Sequence, residues 1–309
     1  MKLAPVVLFV YNRPKHTRMV LEALQQCDLS RETELFIYAD APKDASDKEL
    51  VSKVFAVREI IRERQWTNSV FITEQEKNLG LANSIMQGVS KVLEHHDSVI
   101  VLEDDICVTK GFLKYMNDAL TTYADDPAVM HVSGYIYPYS RRIKVKEETL
   151  FLKINTCWGW ATWKRAWKFF NPDTKFHLDL WKTEEERRKF DIEGHACYYL
   201  QLEQNNQGII NSWAVKWYSS WLNADGYSLL PKKSLVRNIG NDGTGIHSLR
   251  TDKFDMELAS SIEVKKLPVQ ENIAVRKSID KFYKELYHTI PLPLRIKKAV
   301  KSFLTGKEA

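Results

Sequence analysis

Three adjacent carboxylates, Glu103, Asp104 and Asp105, come directly after the apolar residues Val99, Ile100, Val101 and Leu102. Carboxylates this close repel one another unless a cation neutralises them, and a hard divalent ion takes oxygen ligands of this kind. Mg²⁺ or Mn²⁺ held there would oppose the negative charge that builds on a departing nucleoside diphosphate. A solvated turn, with an aspartate near the start of the next helix, is the plainer account of the same residues. Their place at the carboxyl end of a predicted strand favours the metal. A second segment, Asn238-Ile239-Gly240-Asn241-Asp242-Gly243-Thr244-Gly245-Ile246-His247, combines glycines with an aspartate and a histidine. Glycine lets a backbone come close to an anion, and His247 could then ligate the same ion; a surface turn is the alternative. Arg13 could pair with phosphate in bidentate fashion, and Asp40 could accept hydrogen bonds from a base or ribose. Asn83 lies at the beginning of a predicted helix. Trp158 and Trp160, in the block Trp158-Gly159-Trp160-Ala161-Thr162-Trp163, offer faces that stack on the sugar rings of an acceptor and indole N–H groups that meet its hydroxyls. Most of the other tryptophans are expected in the core.

These residues need a scaffold that gathers them at one edge. Apolar runs near 6–11, 35–39, 70–73, 98–102 and 129–134 predict strands. Helices are expected near 46–64, 81–94 and 112–123, and Pro14 starts an earlier one. Repeated strand–helix units of this kind predict an α/β fold, a doubly wound, mostly parallel sheet with helices on both faces. Ligands bind such sheets beyond the carboxyl ends of the strands. Arg13, Asp40, Asn78 and the acidic triplet all fall there. After Pro138 come a basic stretch, Arg141 to Lys146, the aromatic block, and a charged helix near 184–189. Trp213, Trp217 and Trp221 recur every four residues, so they share one helical face and are expected as core.

With 309 residues, 44% hydrophobic and 28% charged, the chain reads as an ordinary globular protein. Its formal charge of +5 is interspersed with acids over most of the length rather than gathered in a stripe, which argues against a nucleic-acid partner. Cys27, Cys107, Cys157 and Cys197 show no CxxC pair and no zinc spacing, the usage expected of thiols in a reducing compartment. The amino-terminal apolar run, broken by Pro5 and ended by Asn12-Arg13-Pro14, reads as a buried strand rather than a signal peptide. No apolar stretch approaches the ~18 residues of a transmembrane helix, and a cytoplasmic protein is expected.

The ordered segments VLFVYNRP, YAD, EKNLGLANS, VIVLEDD, CWGWATWKRAW, SWAVKWYSSW and NIGNDGTGIHS resemble bacterial glycosyltransferases of the GT-A fold. That group is related to inverting family-2 enzymes and to N-acetylglucosaminyltransferases of the N-glycan pathway. The segments extend from Val7 to Ser248. The resemblance implies an inverting, Mn²⁺- or Mg²⁺-dependent transfer of a sugar from a nucleotide-diphosphate sugar donor to a glycan or lipid-linked glycan, in bacterial surface polysaccharide biosynthesis. It also implies Asp105 and His247 as metal ligands, Asp104 close to the ribose or diphosphate, and Arg13, Asp40 and Asn83 around the nucleoside. Many inverting relatives carry an acidic base where this chain reads Ser212-Trp213-Ala214-Val215, and no carboxylate occurs between Asn211 and Leu222. An inverting transfer still needs a group to take the acceptor proton, and Asp242 and Asp191 are the substitutes. The same gap raises another reading, a catalytically inactive glycan- or nucleotide-binding module of this fold. A nucleotidyltransferase ranks lower because no glycine-rich phosphate loop follows the first strand, and a dinucleotide oxidoreductase lower still without GxGxxG there.

The expected organisation is a glycosyltransferase domain over residues 1–275, with 1–135 binding the nucleotide and 136–275 the acceptor. A basic amphipathic helical tail over 276–309 follows. In that tail Leu292, Ile296, Ala299, Val300, Phe303 and Leu304 would form an apolar face, with Lys297, Lys298 and Lys301 along the other side. Such a helix suits peripheral contact with an anionic membrane; packing on the chain's own domain accounts for the pattern equally well.

Overall fold

The amino-terminal apolar run forms β1 (Val6–Val10), and all its residues are buried, as a strand covered on both faces requires. Pro14 occupies the first turn of α1 (Pro14–Gln25), where its missing N–H costs nothing, so Tyr11, Asn12 and Arg13 form the short link between the two. The computed structural model describes residues 3–240 and 252–288. Strand and helix continue to alternate through β2 (Glu34–Ala39), α2 (Lys48–Arg62), β3 (Ser69–Glu74), α3 (Leu81–His95) and β4 (Ser98–Glu103). Next come β5 (Ile106–Val108), α4 (Phe112–Thr122), β6 (Val129–Ser133), β7 (Thr149–Leu152), β8 (Trp160–Trp163) and α5 (Lys164–Trp167). The remaining elements are α6 (Thr174–Leu180), α7 (Glu184–Phe190), α8 (Tyr198–Asn206), α9 (Trp213–Asn223), β9 (Tyr227–Pro231), β10 (Val236–Asn238) and α10 (Ile273–His288).

Eight strands form one sheet in the order β3-β2-β1-β4-β8-β6-β9-β7. β8 and β7 run against the others, and the rest share one direction. The expected α/β, mostly parallel sheet is therefore present. Its two reversed strands lie after Pro138, where the sequence no longer alternates strand with helix. β5 and β10 pair antiparallel in a small second sheet, with Asn238 opposite Ile106. This ladder carries the segment after β9 back to the residues that follow β4.

The aromatic block is mostly interior. Trp213, Trp217 and Trp221 are 4%, 0% and 0% exposed, as their spacing on α9 demands. Trp160 is fully buried, stacked on Trp213 with ring centroids 5.1 Å apart and on His131 at 5.4 Å. The His131 ring bonds through Nε2 to the Thr156 carbonyl (2.9 Å), while Nδ1 accepts from Trp217 Nε1 (3.1 Å). Burial lowers its pKa to about 4, so the ring is neutral at ordinary pH. Gly226 N donates to the Trp221 carbonyl and Tyr227 N to the Ala128 carbonyl, both at 2.8 Å, which ties the end of α9 to the start of β9. α9 thus runs back across the sheet, and its amino end at Trp213 comes toward the edge where the parallel strands finish.

A second, smaller core joins Ile136, Leu150, Leu152, Ile154 and Leu230 to Val275, Ile279 and Tyr283 of α10. The first part of the expected tail is therefore a helix seated on the domain. Residues 289–309, with Leu292, Ile296 and the others of the proposed membrane face, lie outside the described residues. No described helix is long and apolar enough to cross a membrane.

Candidate active site

Parallel pairing sets Glu103 opposite Phe9 of β1, so the acidic triplet leaves the sheet beside the β1–α1 link. Two groups of that link reach it. Tyr11 N donates to Asp104 Oδ2 at 3.3 Å, and Arg13 Nη1 donates to Asp105 Oδ2 at 2.8 Å while standing 3.8 Å from Asp104 Oδ1. Arg13 is held there because Pro14 fixes where the helix begins. One guanidinium against three carboxylates leaves excess negative charge. Burial, with the nearby Asp105 charge, pushes the Asp104 carboxyl up to about 7. Burial, then Asp105 and Asp104, hold Glu103 well above the usual carboxylate range.

The β5–β10 ladder closes the site from the other side. Ile239 N donates to the Asp105 carbonyl at 2.8 Å. Gly240 lies so close that a Cβ at this position would strike the Asp105 carboxylate and crowd the Arg13 guanidinium. Here the need for glycine is one of space rather than of torsion. Gly240 is the last described residue before the stretch that holds Asp242 and His247, and both of these lie outside the described residues. Among the described residues, no group of three histidines, cysteines or acidic side chains is arranged to hold a metal.

Asp40, at the end of β2, is buried and fully engaged. Its Oδ1 accepts from Ala41 N and Leu79 N, each at 2.9 Å. Its Oδ2 accepts from Gly80 N at 2.9 Å and Asn78 Nδ2 at 3.1 Å. A carboxylate offers about four acceptor sites, so none remains for a base or ribose in this arrangement. What Asp40 does here is fix the loop 78–80 and, through it, the start of α3, where Gly80 takes φ of +74°. Asn83 Nδ2 donates to the Leu79 carbonyl at 2.9 Å, bracing the same turn. Asn78 is the member of this cluster whose side chain the sequence reading left without a role.

On the far side of β4, antiparallel β8 places Trp160 opposite Val101, so Cys157 and Trp158 extend alongside the triplet. Burial first, and then the nearby Glu103 and Asp105 charges, push the Cys157 thiol up. Trp158 is half-buried and packs on Tyr135 and Phe254, with centroids 4.5 and 5.7 Å apart. The same cleft is lined by Arg237, Asn238 and Asp255. Trp160, expected beside it, points instead into the core and presents no surface to an acceptor. Asp191 is also elsewhere. Its Oδ1 accepts from Tyr199 N at 2.9 Å, burial raises it to about 6, and the other groups acting on it are Tyr198, Glu203 and Arg187. None of these contacts involves the triplet.

No protein-family model and no curated protein matches the sequence. Several solved structures are similar. TarS of S. aureus is 15% identical over 76% of this chain, with TM-score 0.39. GalNAc-T7, solved with UDP, GalNAc and Mn²⁺, is 10% identical over 74%, with TM-score 0.40. A UDP-glucose pyrophosphorylase from Acinetobacter baumannii is 11% identical over 74%, with TM-score 0.37, and the alignment spans 85% of that chain. This chain spans 36% of the length of TarS and 42% of GalNAc-T7. Likeness at such identity is confined to architecture.

Proposed function

We propose that the chain is a metal-dependent glycosyltransferase, moving a sugar from a nucleotide-diphosphate sugar to a hydroxyl of a glycan or lipid-linked glycan. The observation that carries this reading is the meeting of Asp104, Asp105, Arg13 and the Gly240 backbone at the carboxyl end of β4. The donor set fits Mn²⁺ or Mg²⁺: hard carboxylate oxygens, too much negative charge for one guanidinium, and a neighbour with no Cβ. Asp105, with Asp104 beside it, would hold the ion, and His247 is the further ligand proposed from the segment Asn238 to His247. When bound, the ion neutralises charge on the departing diphosphate.

The chain's own groups do the rest. Arg13, which contacts Asp105 at 2.8 Å and stands 3.8 Å from Asp104, would be placed to pair with a phosphate oxygen of the donor. Asp40 and Asn83 shape the nucleoside cradle indirectly, by holding residues 78–80. Trp158 supplies an aromatic wall for the acceptor. The proton acceptor proposed for inverting transfer is Asp242, which follows Gly240 by two residues; Asp191, half-buried in its own cluster, is the weaker choice. Bacterial surface polysaccharide assembly is the setting proposed from the resemblance. The pyrophosphorylase alternative is disfavoured by the link after β1, Tyr11-Asn12-Arg13-Pro14, which has no glycine to cradle a phosphate.

Melting the protein with UDP, GDP, CDP and dTDP, each with and without Mn²⁺, tests this directly, since a ligand of the native state raises Tm. A rise with one diphosphate, only when metal is present, is expected. No rise with any of them would overturn the reading. Gly240→Ala should weaken that diphosphate by about tenfold to a hundredfold, because a shift of ~1 Å at Asp105 is enough to spoil the geometry. Titration with Mn²⁺ held constant measures it, and unchanged affinity would show that the close approach of Gly240 has no functional part.

A further inference from the structure

The acceptor side of this site carries a basic surface that the donor chemistry does not use. Residues 140–146 lie in the connection between β6 and β7. Ile143 and Val145 turn inward to pack on the second core, which leaves Arg142, Lys144 and Lys146 exposed. None of these three cations makes an ion pair among the described residues. The stretch is fastened to α10, Ser140 N donating to Ser278 Oγ at 2.8 Å. Beside that anchor, Lys277, Lys281 and Lys284 are exposed on α10, and their spacing sets them along one helical face.

Apart from Glu147, which follows Lys146, acids in the neighbourhood are matched to cations. Lys232 pairs with Glu148 at 3.4 Å, Lys233 with Glu257 at 2.6 Å, and Arg276 with Asp280 at 2.7 Å. Lys281 stands 3.8 Å from Glu285, but Lys277 and Lys284 make no ion pair among the described residues. The surface is therefore net positive. It is also joined to the catalytic edge by a run of rings. Trp158 meets Phe254 at 5.7 Å, Phe254 meets Phe282 of α10 at 5.9 Å, and Phe282 meets Tyr137 at 6.3 Å.

We propose that this surface grips the acceptor and that the acceptor is a polyanionic glycan, bearing phosphate or carboxylate groups along its chain. The proposal rests on the transferase reading and names the substrate class for its acceptor side. Aromatic faces at the catalytic edge suit a sugar ring, while cations spread over a loop and a helix suit charges repeated along a polymer. A membrane fits less well: the apolar residues that alternate with these cations are turned into the core, leaving nothing between them to enter a bilayer.

The test uses the full chain and a fluorescent heparin oligosaccharide as the polyanionic probe, with neutral dextran of similar size and phosphatidylglycerol vesicles alongside. Arg142→Glu/Lys144→Glu/Lys146→Glu should weaken heparin binding about tenfold or more at low salt. Lys48→Glu/Lys91→Glu/Lys168→Glu makes the same change in net charge at exposed sites elsewhere and should stay within about threefold of wild type. The metal-dependent nucleotide melting shift should be the same in all three proteins, so the donor reading is scored separately. Equal losses in both variants, equal binding of dextran, or a loop-dependent attachment to vesicles but not to heparin would each overturn the proposal. If the nucleotide shift persists while heparin binding ignores the loop, this inference falls and the transferase reading stands.

Discussion

Asp105→Asn should abolish the metal-dependent nucleotide shift and cut donor turnover by about a thousandfold or more, while leaving the empty protein as stable as wild type or slightly more so. The two halves of that result come from one carboxylate. A charge placed to hold a cation against a diphosphate acts where water is excluded, and losing such a group typically costs two to three orders of magnitude or more. Without ligand the same charge works against folding. Burial and the nearby Asp105 hold Asp104 at about 7, so folding is opposed by this group as pH rises from the ordinary carboxylate range toward 7. Glu103 is displaced in the same direction, by burial first and by Asp105 next. Asparagine removes one negative charge and still offers Arg13 a carbonyl oxygen in place of the 2.8 Å contact. Nucleoside diphosphate released from the donor sugar, which needs no acceptor, reports turnover, and melting without metal reports stability. Turnover retained in a folded Asp105→Asn protein would remove the metal site. A fall in Tm would mean that the Arg13 pair, not the crowding of carboxylates, dominates the empty site.

Much of this site was legible in the sequence because its parts sit where strands end. The run Val99 to Leu102 predicts a buried strand, and the triplet must then emerge at its carboxyl edge. Pro14 likewise places Arg13 at the same edge. What the sequence could not give is where hydrogen bonds go. Asp40 stands at the predicted strand end, yet its oxygens are taken by the backbone of residues 41, 79 and 80 and by Asn78. The contact of Gly240 with Asp105 depends on a short antiparallel ladder between segments far apart in the chain, and nothing local in either signals it. β8 was hidden for another reason. Its sequence, Trp160-Ala161-Thr162-Trp163, is buried throughout, so it lacks the alternation that marks a half-exposed strand. The same lack of alternation made Trp160 and Trp158 look equivalent.

Trp160→Ala should destabilise the protein by about 3–5 kcal/mol, the usual range for deleting a large buried aromatic side chain, whereas Trp158→Ala should cost much less and act on the acceptor. Trp160 has no exposed surface, and its ring lies among Trp213, His131, Trp167 and Trp217. Truncation would open a cavity between β8 and α9, and the stacked His131 ring would lose one wall. The indole also brings a cost. Its Nε1 is buried with no hydrogen-bond partner among the described residues, and an unmet donor of this kind costs roughly 1–3 kcal/mol. Trp160→Phe, which deletes that N–H and keeps a ring, should therefore lose less than about 1.5 kcal/mol despite the smaller side chain. Denaturant unfolding of the three variants separates packing from polar cost, and a melting shift with a soluble acceptor analogue reports binding. If Trp160→Ala unfolds within about 1 kcal/mol of wild type, the indole is not the packed centre of this core. If Trp160→Phe costs as much as Trp160→Ala, the N–H has a partner in solution and the polar part of the argument fails.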